Sequence, residues 1–257
     1  GEEPFVALDA ELVGDLIART QYSMSTDDTR PHLAGALFEG TGGTVRMVTT
    51  DGHRLCKGEA DLPGVDGLSF SMLVPAKGIG ELRRLIEDAK SSAGNAPEAP
   101  VTVDVATSGG NAFFRREDVQ LSVKLADEQF PPYEKVIPKS SERHVVVART
   151  ALHEALKRIA LVASDKNGSV RLNVDAGTLK IISENPDVGE GREELDIDYA
   201  GGPLVIGFNA RYLLDVLGSL TANEVALDLS GELDPGVVRP VGDTRLDFVG
   251  VIMPMRI

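Results

Sequence analysis

One order of elements, strand then helix then three strands, recurs along this chain, and such a recurrence leaves few folds open. Phe5 to Leu8 reads as a short strand. Asp9 to Arg19 reads as a helix, with Asp9 placed to cap it and Leu12, Leu16 and Arg19 at helical spacing. His32–Phe38 and Thr44–Thr50 read as strands joined by a turn at Gly40-Thr41-Gly42-Gly43, and the stretch Asp51 to Leu55 follows. Phe70–Val74 is then a strand running into a helix from Pro75 to Lys90, with Pro75 in the first turn. A Ser/Ala/Pro/Gly loop (91–100) precedes strands at 101–106, 112–116 and 120–125. After a proline-marked stretch from Phe130 to Ser141 the pattern restarts: a strand at 145–148, then a helix over 149–163. Leu12 and Leu16 align with Leu152 and Leu156 at an offset of 140 residues. Thr44–Thr49 aligns with Thr178–Ser183, and Glu81-Leu82 with Asp215-Val216 of a helix over 209–219, at an offset of 134. The difference reads as a six-residue deletion after the first helix. The chain is thus a duplicated domain whose copies are themselves pseudo-duplicated.

Two helices for about eight strands in each copy predict an α+β fold, with helices laid on antiparallel sheets. The expected boundaries are a first domain at 4–132, a linker at 133–141 and a second domain at 142–257, in keeping with ordinary domain sizes. Apolar residues make up 42% of the chain but tryptophan is absent, so the cores must rest on Val, Leu, Ile and Ala. The net charge of −14 argues against a general nucleic-acid coat. Its distribution says more. The four helical windows hold nine Lys/Arg and eight Asp/Glu, leaving 17 and 32 of the chain's 26 and 40 elsewhere. The helices therefore avoid the prevailing negative charge, as a surface beside a polyanion would. A lone cysteine, Cys56, excludes an internal disulfide and suits a reducing compartment. No apolar run approaches the roughly 18 residues of a membrane span, and the start has neither the basic nor the apolar region of a signal peptide, so a cytoplasmic protein is expected.

Catalysis finds little support. His32, His53, His144 and His153 form no pair at metal-ligand spacing, and no metal or cofactor is expected. Asp51 and His53 invite an acid–base reading, a hydrolase-like alternative, but no nucleophile elbow or oxyanion glycine pattern accompanies them. The pairs Asp27-Asp28 and Glu193-Glu194 read as solvated charges in loops or at strand starts, and Cys56 as a small buried residue. The tail is the other distinctive stretch. Val251-Ile252-Met253-Pro254-Met255-Arg256-Ile257 follows an alternating strand, and Pro254 keeps it extended. Two methionines beside a proline form a soft apolar surface suited to gripping peptides.

Several of these stretches together resemble one family. Thr49-Thr50-Asp51-Gly52-His53-Arg54-Leu55, Asn209 with Tyr212–Leu217, Phe130-Pro131 with Tyr133, and Met253-Pro254-Met255-Arg256 are similar to the bacterial DNA polymerase III beta subunit, the replicative sliding clamp. Ser25 to Glu39, with Asp28, Arg30 and Leu33–Glu39, looks like the same family. The resemblance implies a non-enzymatic processivity factor with the DNA-clamp fold: repeated domains, helices inside and sheets outside, in a ring around duplex DNA. The family has three such domains per chain, and the likeness covers the second and third. Two full-length family chains close a homodimeric ring by joining first to third domains, so a chain with only these two is not expected to close one.

The resemblance also implies partners: the DNA polymerase III catalytic subunit, the clamp loader, and other polymerases and repair proteins. These insert a short Gln-Leu-x-Leu-Phe-like peptide into a pocket between domains two and three. The carried-over pocket takes Leu33, Thr50, Gly52, His53, Arg54 and Leu55 from the first copy and Pro131, Lys135 and Val136 from the linker side. Asn209, Tyr212, Val251, Ile252, Met253, Pro254, Met255 and Arg256 come from the second copy. Apolar anchors suit its Met/Leu/Val/Pro lining, while His53, Arg54, Asn209 and Arg256 supply polar contacts at the rim. Arg19, Lys77, Arg83, Arg84, Arg149, Lys157 and Arg158 are the expected DNA-facing cations. One departure stands out: where the family often has a bulky apolar residue, the loop Ser164–Gly168 is polar around Asn167, predicting an altered edge of the pocket.

Overall fold

The computed structural model describes residues 5–27, 29–62, 65, 67–92, 101–163, 168–243 and 245–256. Asp28, the 93–100 part of the Ser/Pro loop, Asn167 with the 164–166 residues before it, and Ile257 lie outside the described residues. The chain divides into two compact units, residues 1–132 with 245–247, and 133–244 with 248–257.

In the first unit β1 (Val6–Asp9) leads into α1 (Ala10–Thr20). The Asp9 carboxylate caps this helix, accepting from the backbone N–H of Glu11 at 2.8 Å and Leu12 at 3.0 Å. Leu12, Val13, Leu16 and Ile17 are buried along one stripe. Strands β2 (Gly35–Gly42), β3 (Thr44–Thr50), β4 (Arg54–Asp61) and β5 (Leu68–Pro75) follow. Then come α2 (Ala76–Ser92) and strands β6 (Thr102–Ser108), β7 (Asn111–Arg116) and β8 (Val119–Lys124). Two antiparallel sheets result, ordered β1-β6-β7-β8 and β5-β2-β3-β4. The first strand of each half has changed sheets: β1 pairs with β6 of the second half, and β5 with β2 of the first. The two helices pack on each other, and the core joins Leu16, Ile17, Phe38, Met47, Ile79, Leu82 and Phe114. Leu246 belongs to this core, and beside it Arg245 donates to Glu11 at 3.0 Å and lies 3.2 Å from Asp15.

The second unit repeats the plan. A 3₁₀ turn (Tyr133–Lys135) precedes β9 (Arg143–Ala148) and α3 (Arg149–Ala160), then β10 (Ser169–Asp175), β11 (Thr178–Asn185) and β12 (Gly189–Asp196). Its second half is β13 (Leu204–Asn209), α4 (Ala210–Ser219), β14 (Glu224–Leu229), β15 (Gly236–Pro240) and β16 (Asp247–Ile252). The sheet orders are β12-β11-β10-β13 and β9-β14-β15-β16, so β9 and β13 are exchanged as β1 and β5 are.

The duplicated order read from the sequence is therefore present, with local differences. Pro31 starts a 3₁₀ turn (Pro31–Leu33), so the strand expected from His32 begins only at Gly35. The third strand of the first half, β4, runs on from Arg54 to Asp61. Pro75 ends β5 rather than opening α2. The helix α3 stops at Ala160, three residues early. Glu193 and Glu194 lie in the middle of β12.

Candidate peptide-docking residues and the cation faces

In the first unit the Thr50–Arg54 stretch is a tight turn between β3 and β4. Gly52 sits at φ +92°, in the left-handed half of backbone space that glycine tolerates and side chains rarely adopt. Five local side-chain bonds close the turn. Thr50 Oγ1 donates to the Arg54 carbonyl at 2.6 Å and accepts the Gly52 N–H at 3.1 Å. Asp51 Oδ1 accepts the His53 and Arg54 N–H groups at 2.9 and 3.1 Å. The Asp51 Oδ2 takes the Arg54 Nε at 3.0 Å. From there the Arg54 guanidinium runs inward: an Nη donates to the Tyr22 carbonyl at 2.7 Å, and its Cζ lies 5.5 Å from the Tyr22 ring centroid. Only about a tenth of the Arg54 side chain is exposed, so most of this cation is spent on the turn rather than offered at a rim. His53 is exposed, and among the described residues its ring makes no hydrogen bond. Asp51 therefore orients Arg54 and two backbone amides, not the imidazole, and the Asp51–His53 dyad of the hydrolase reading is not formed. Thr50, Leu55 and Leu33 are buried, Pro131 is half-buried, and Lys135 and Val136 are exposed.

In the second unit Asn209 caps α4, its Oδ1 accepting the Arg211 N–H at 2.9 Å. Tyr212 is half-buried in the first turn of that helix. Val251 and Ile252 are buried as the end of β16. The chain then leaves that sheet and crosses to the other: Met255 N–H donates to the Gly207 carbonyl of β13 at 2.8 Å, forming an isolated antiparallel bridge. Met253, 43% exposed, Pro254 and Met255, both half-buried, form an apolar ridge fixed at both ends, with Arg256 exposed beyond it.

The expected DNA-facing cations divide sharply. Arg19 is buried, with 6% of its surface exposed, and does not face solvent. Its place on the Leu12–Leu16 stripe is the reason, since a residue three after Leu16 shares the buried face. Arg149 is likewise committed: Nε donates to the Ala222 carbonyl at 2.7 Å and Nη1 to the Leu217 carbonyl at 3.3 Å, where α4 leaves its last carbonyls unpaired. Arg158 forms a two-pronged pair with Glu193 at 2.6 and 3.1 Å, holding that carboxyl below the usual range. Arg83 and Arg84 bridge to Glu87 and Glu81 on their own helix. Lys77 and Lys157 are exposed, with no ion-pair partner among the described residues.

Cys56 is buried, its Sγ 3.0 Å from the Tyr22 hydroxyl, and burial pushes its thiol up to about 11. The thiolate is the reactive form, so the folded chain is expected to resist alkylation at pH 8 and to label fully in denaturant. The raised value favours folding below about pH 9 and ceases to do so as pH climbs through 11. Labelling with iodoacetamide followed by mass measurement checks this; rapid native labelling would contradict it. Among the described residues no cluster of His, Cys, Asp or Glu is placed to hold a metal ion. No described helix is long and apolar enough to cross a membrane.

Two four-stranded antiparallel sheets with exchanged first strands, covered by two helices and present twice, define a DNA-clamp fold. The family described as DNA polymerase III beta subunit, central domain, matches residues 7–132, and its C-terminal domain matches residues 134–256. A beta sliding clamp from Pseudomonas putida is 39% identical over 248 residues, covering 94% of this chain and 63% of that protein. The beta sliding clamp of Escherichia coli K12 is 35% identical, with the same two coverages. The crystal structure of the DNA polymerase III subunit beta from Pseudomonas aeruginosa superposes with a TM-score of 0.90 at 35% identity, covering 99% of this chain and 67% of that one. The chain belongs to the DNA polymerase III beta subunit family, and spans just under two thirds of the curated relatives it matches.

Sequence reasoning missed three participants in the first-unit turn: Tyr22 and Asp27, and the role of Arg30, which donates through Nη1 to the Asp51 carbonyl at 3.0 Å. Their contacts reach back 21 and 32 residues, and no local pattern announces them.

Proposed function

We propose that this chain is the peptide-docking part of a replicative sliding clamp. It is a non-catalytic protein that tethers DNA polymerase III and other replication and repair factors by their short linear motifs. Each unit carries its own candidate docking surface: an apolar one at the 251–256 tail of the second, and a polar one at the His53 turn of the first. The apolar ridge at Met253–Met255 carries this reading. An acidic chain leaves Met253 exposed and Pro254 and Met255 half-buried there, and a backbone bond to Gly207 fixes the ridge in place. Exposed apolar surface that is also rigid loses little entropy when a partner covers it, which favours docking over chance exposure. Cytoplasmic residence follows from the same role.

Duplex DNA is a partner of the full-length ring in this reading. Among the candidate cations of the helices, Lys77 and Lys157 are the ones left to contact phosphates. The test of the docking role is a fluorescence-anisotropy titration of a labelled Gln-Leu-x-Leu-Phe peptide into the chain. Saturable binding competed by unlabelled peptide is expected. A flat titration up to millimolar protein would remove the docking role and leave a likeness of fold.

A further inference from the structure

We infer that Arg30 is a positioning residue for the peptide-docking turn, a reading that rests on the proposed docking role. The bonds that close the Thr50–Arg54 turn are all local: they shape the loop but do not fix it to the body of the unit. Two arginines do. Arg54 reaches inward to the Tyr22 carbonyl, and Arg30 reaches the turn from outside, donating to the Asp51 carbonyl at 3.0 Å. Arg30 is itself aimed by Asp27, whose Oδ2 accepts its Nε at 2.8 Å. Asp27 is oriented in turn by the Thr29 hydroxyl and N–H, both donating to its Oδ1 at 2.6 and 3.0 Å. A single planar guanidinium thus serves two acceptors from different segments, a carboxylate on one edge and a backbone carbonyl on the other.

Arg30 also closes off the side of Gly52 where a side chain would stand. A Cβ there would lie 3.2 Å from Arg30 Nη1 and 4.0 Å from Leu33 Cδ1, so the guanidinium occupies the space a side chain would need. His53 is the next residue, and its exposed ring projects from a backbone that Arg30 and Arg54 hold between them. Arg30 acts on a docked peptide through this backbone, by fixing where His53 stands.

The experiment compares the parent chain with Arg30→Met, Arg30→Lys and Asp27→Asn. It uses backbone amide spectra with hydrogen exchange, thermal melting, and the same labelled peptide. In Arg30→Met the Gly52 and His53 amides are expected to shift and to exchange about tenfold faster. Peptide affinity weakens about tenfold, as for loss of one charge-assisted bond, while the melting temperature stays near the parent's. Arg30→Lys does not restore either readout, because an ammonium lacks the two-edged fork. Asp27→Asn, which leaves the arginine in place without its anchor, moves the same amides by less. Unchanged Gly52 and His53 amides in Arg30→Met would overturn the inference, as would parental behaviour in Arg30→Lys. If the parent itself binds no peptide, the docking role fails, and the amide readout alone still decides whether Arg30 positions the turn.

Discussion

A chain ending at Ile252 is expected to lose at least about thirtyfold in affinity for the labelled peptide, the scale of a binding hot spot, while remaining folded. Of the deleted residues that the structure describes, Met253 and Arg256 are exposed, Pro254 and Met255 are half-buried, and Met255 makes one backbone bond to Gly207. Losing that bond and part of two apolar side chains costs about 1–3 kcal/mol of stability, a few degrees of melting temperature. Binding suffers more, because a methionine ridge is lost together with the shape that Pro254 gives it. Met253→Ala and Met255→Ala apportion the effect. The second should weaken binding more if the bridged residue is the fixed anchor, since its side chain starts from an ordered backbone. Equal affinity for parent and truncated chains would move the docking site elsewhere.

Phe38→Ala is expected to cost the first unit about 3–5 kcal/mol, a large share of a domain's net stability. Phe38 is fully buried on β2, in the core with Met47, Met72 and Phe114, and meets the Phe70 ring edge to face at 5.3 Å between centroids. Truncation removes the transfer energy of the ring, leaves a cavity among side chains that relax only partly, and breaks the aromatic pair. The loss should be local. Phe38 lies in the core of the first of two compact units, and a chain of several domains departs from single two-state unfolding. Hydrogen exchange followed along a urea series should show early loss of protection in β2, β3 and β5, with β10 to β15 retaining the parent's midpoint. A uniform shift of both units would mean that they unfold as one.

The sequence made the duplication readable because helix spacing is local and survives divergence. Leu12 and Leu152, placed 140 residues apart, are both buried in the first turn of their helices. It could not show which sheet β1 or β9 joins. Val6 pairs with Val105 and Glu224 with Ala148, and register across such distances leaves no local trace. The site divides in the same way. The His53 turn was legible through Gly52 and Asp51, whose demands are met within four residues. Arg54 was legible as a cation, but not as one turned inward on Tyr22. Arg19 shows the commonest trap: its charge suggested a surface, while its spacing from Leu16 already placed it on the buried stripe.

The exchange of first strands has a consequence for how this protein folds. Neither half of a unit can complete its own sheet: without β1 the β6-β7-β8 sheet lacks its fourth strand, and without β5 so does β2-β3-β4. Closing β1 onto β6 joins residues about a hundred positions apart, a slow, late event in a growing polypeptide. A ribosome that has released α1 has made a helix whose sheet does not yet exist. The smallest piece of this sequence with its own two four-stranded layers is therefore the whole unit, although the half is the visible repeat.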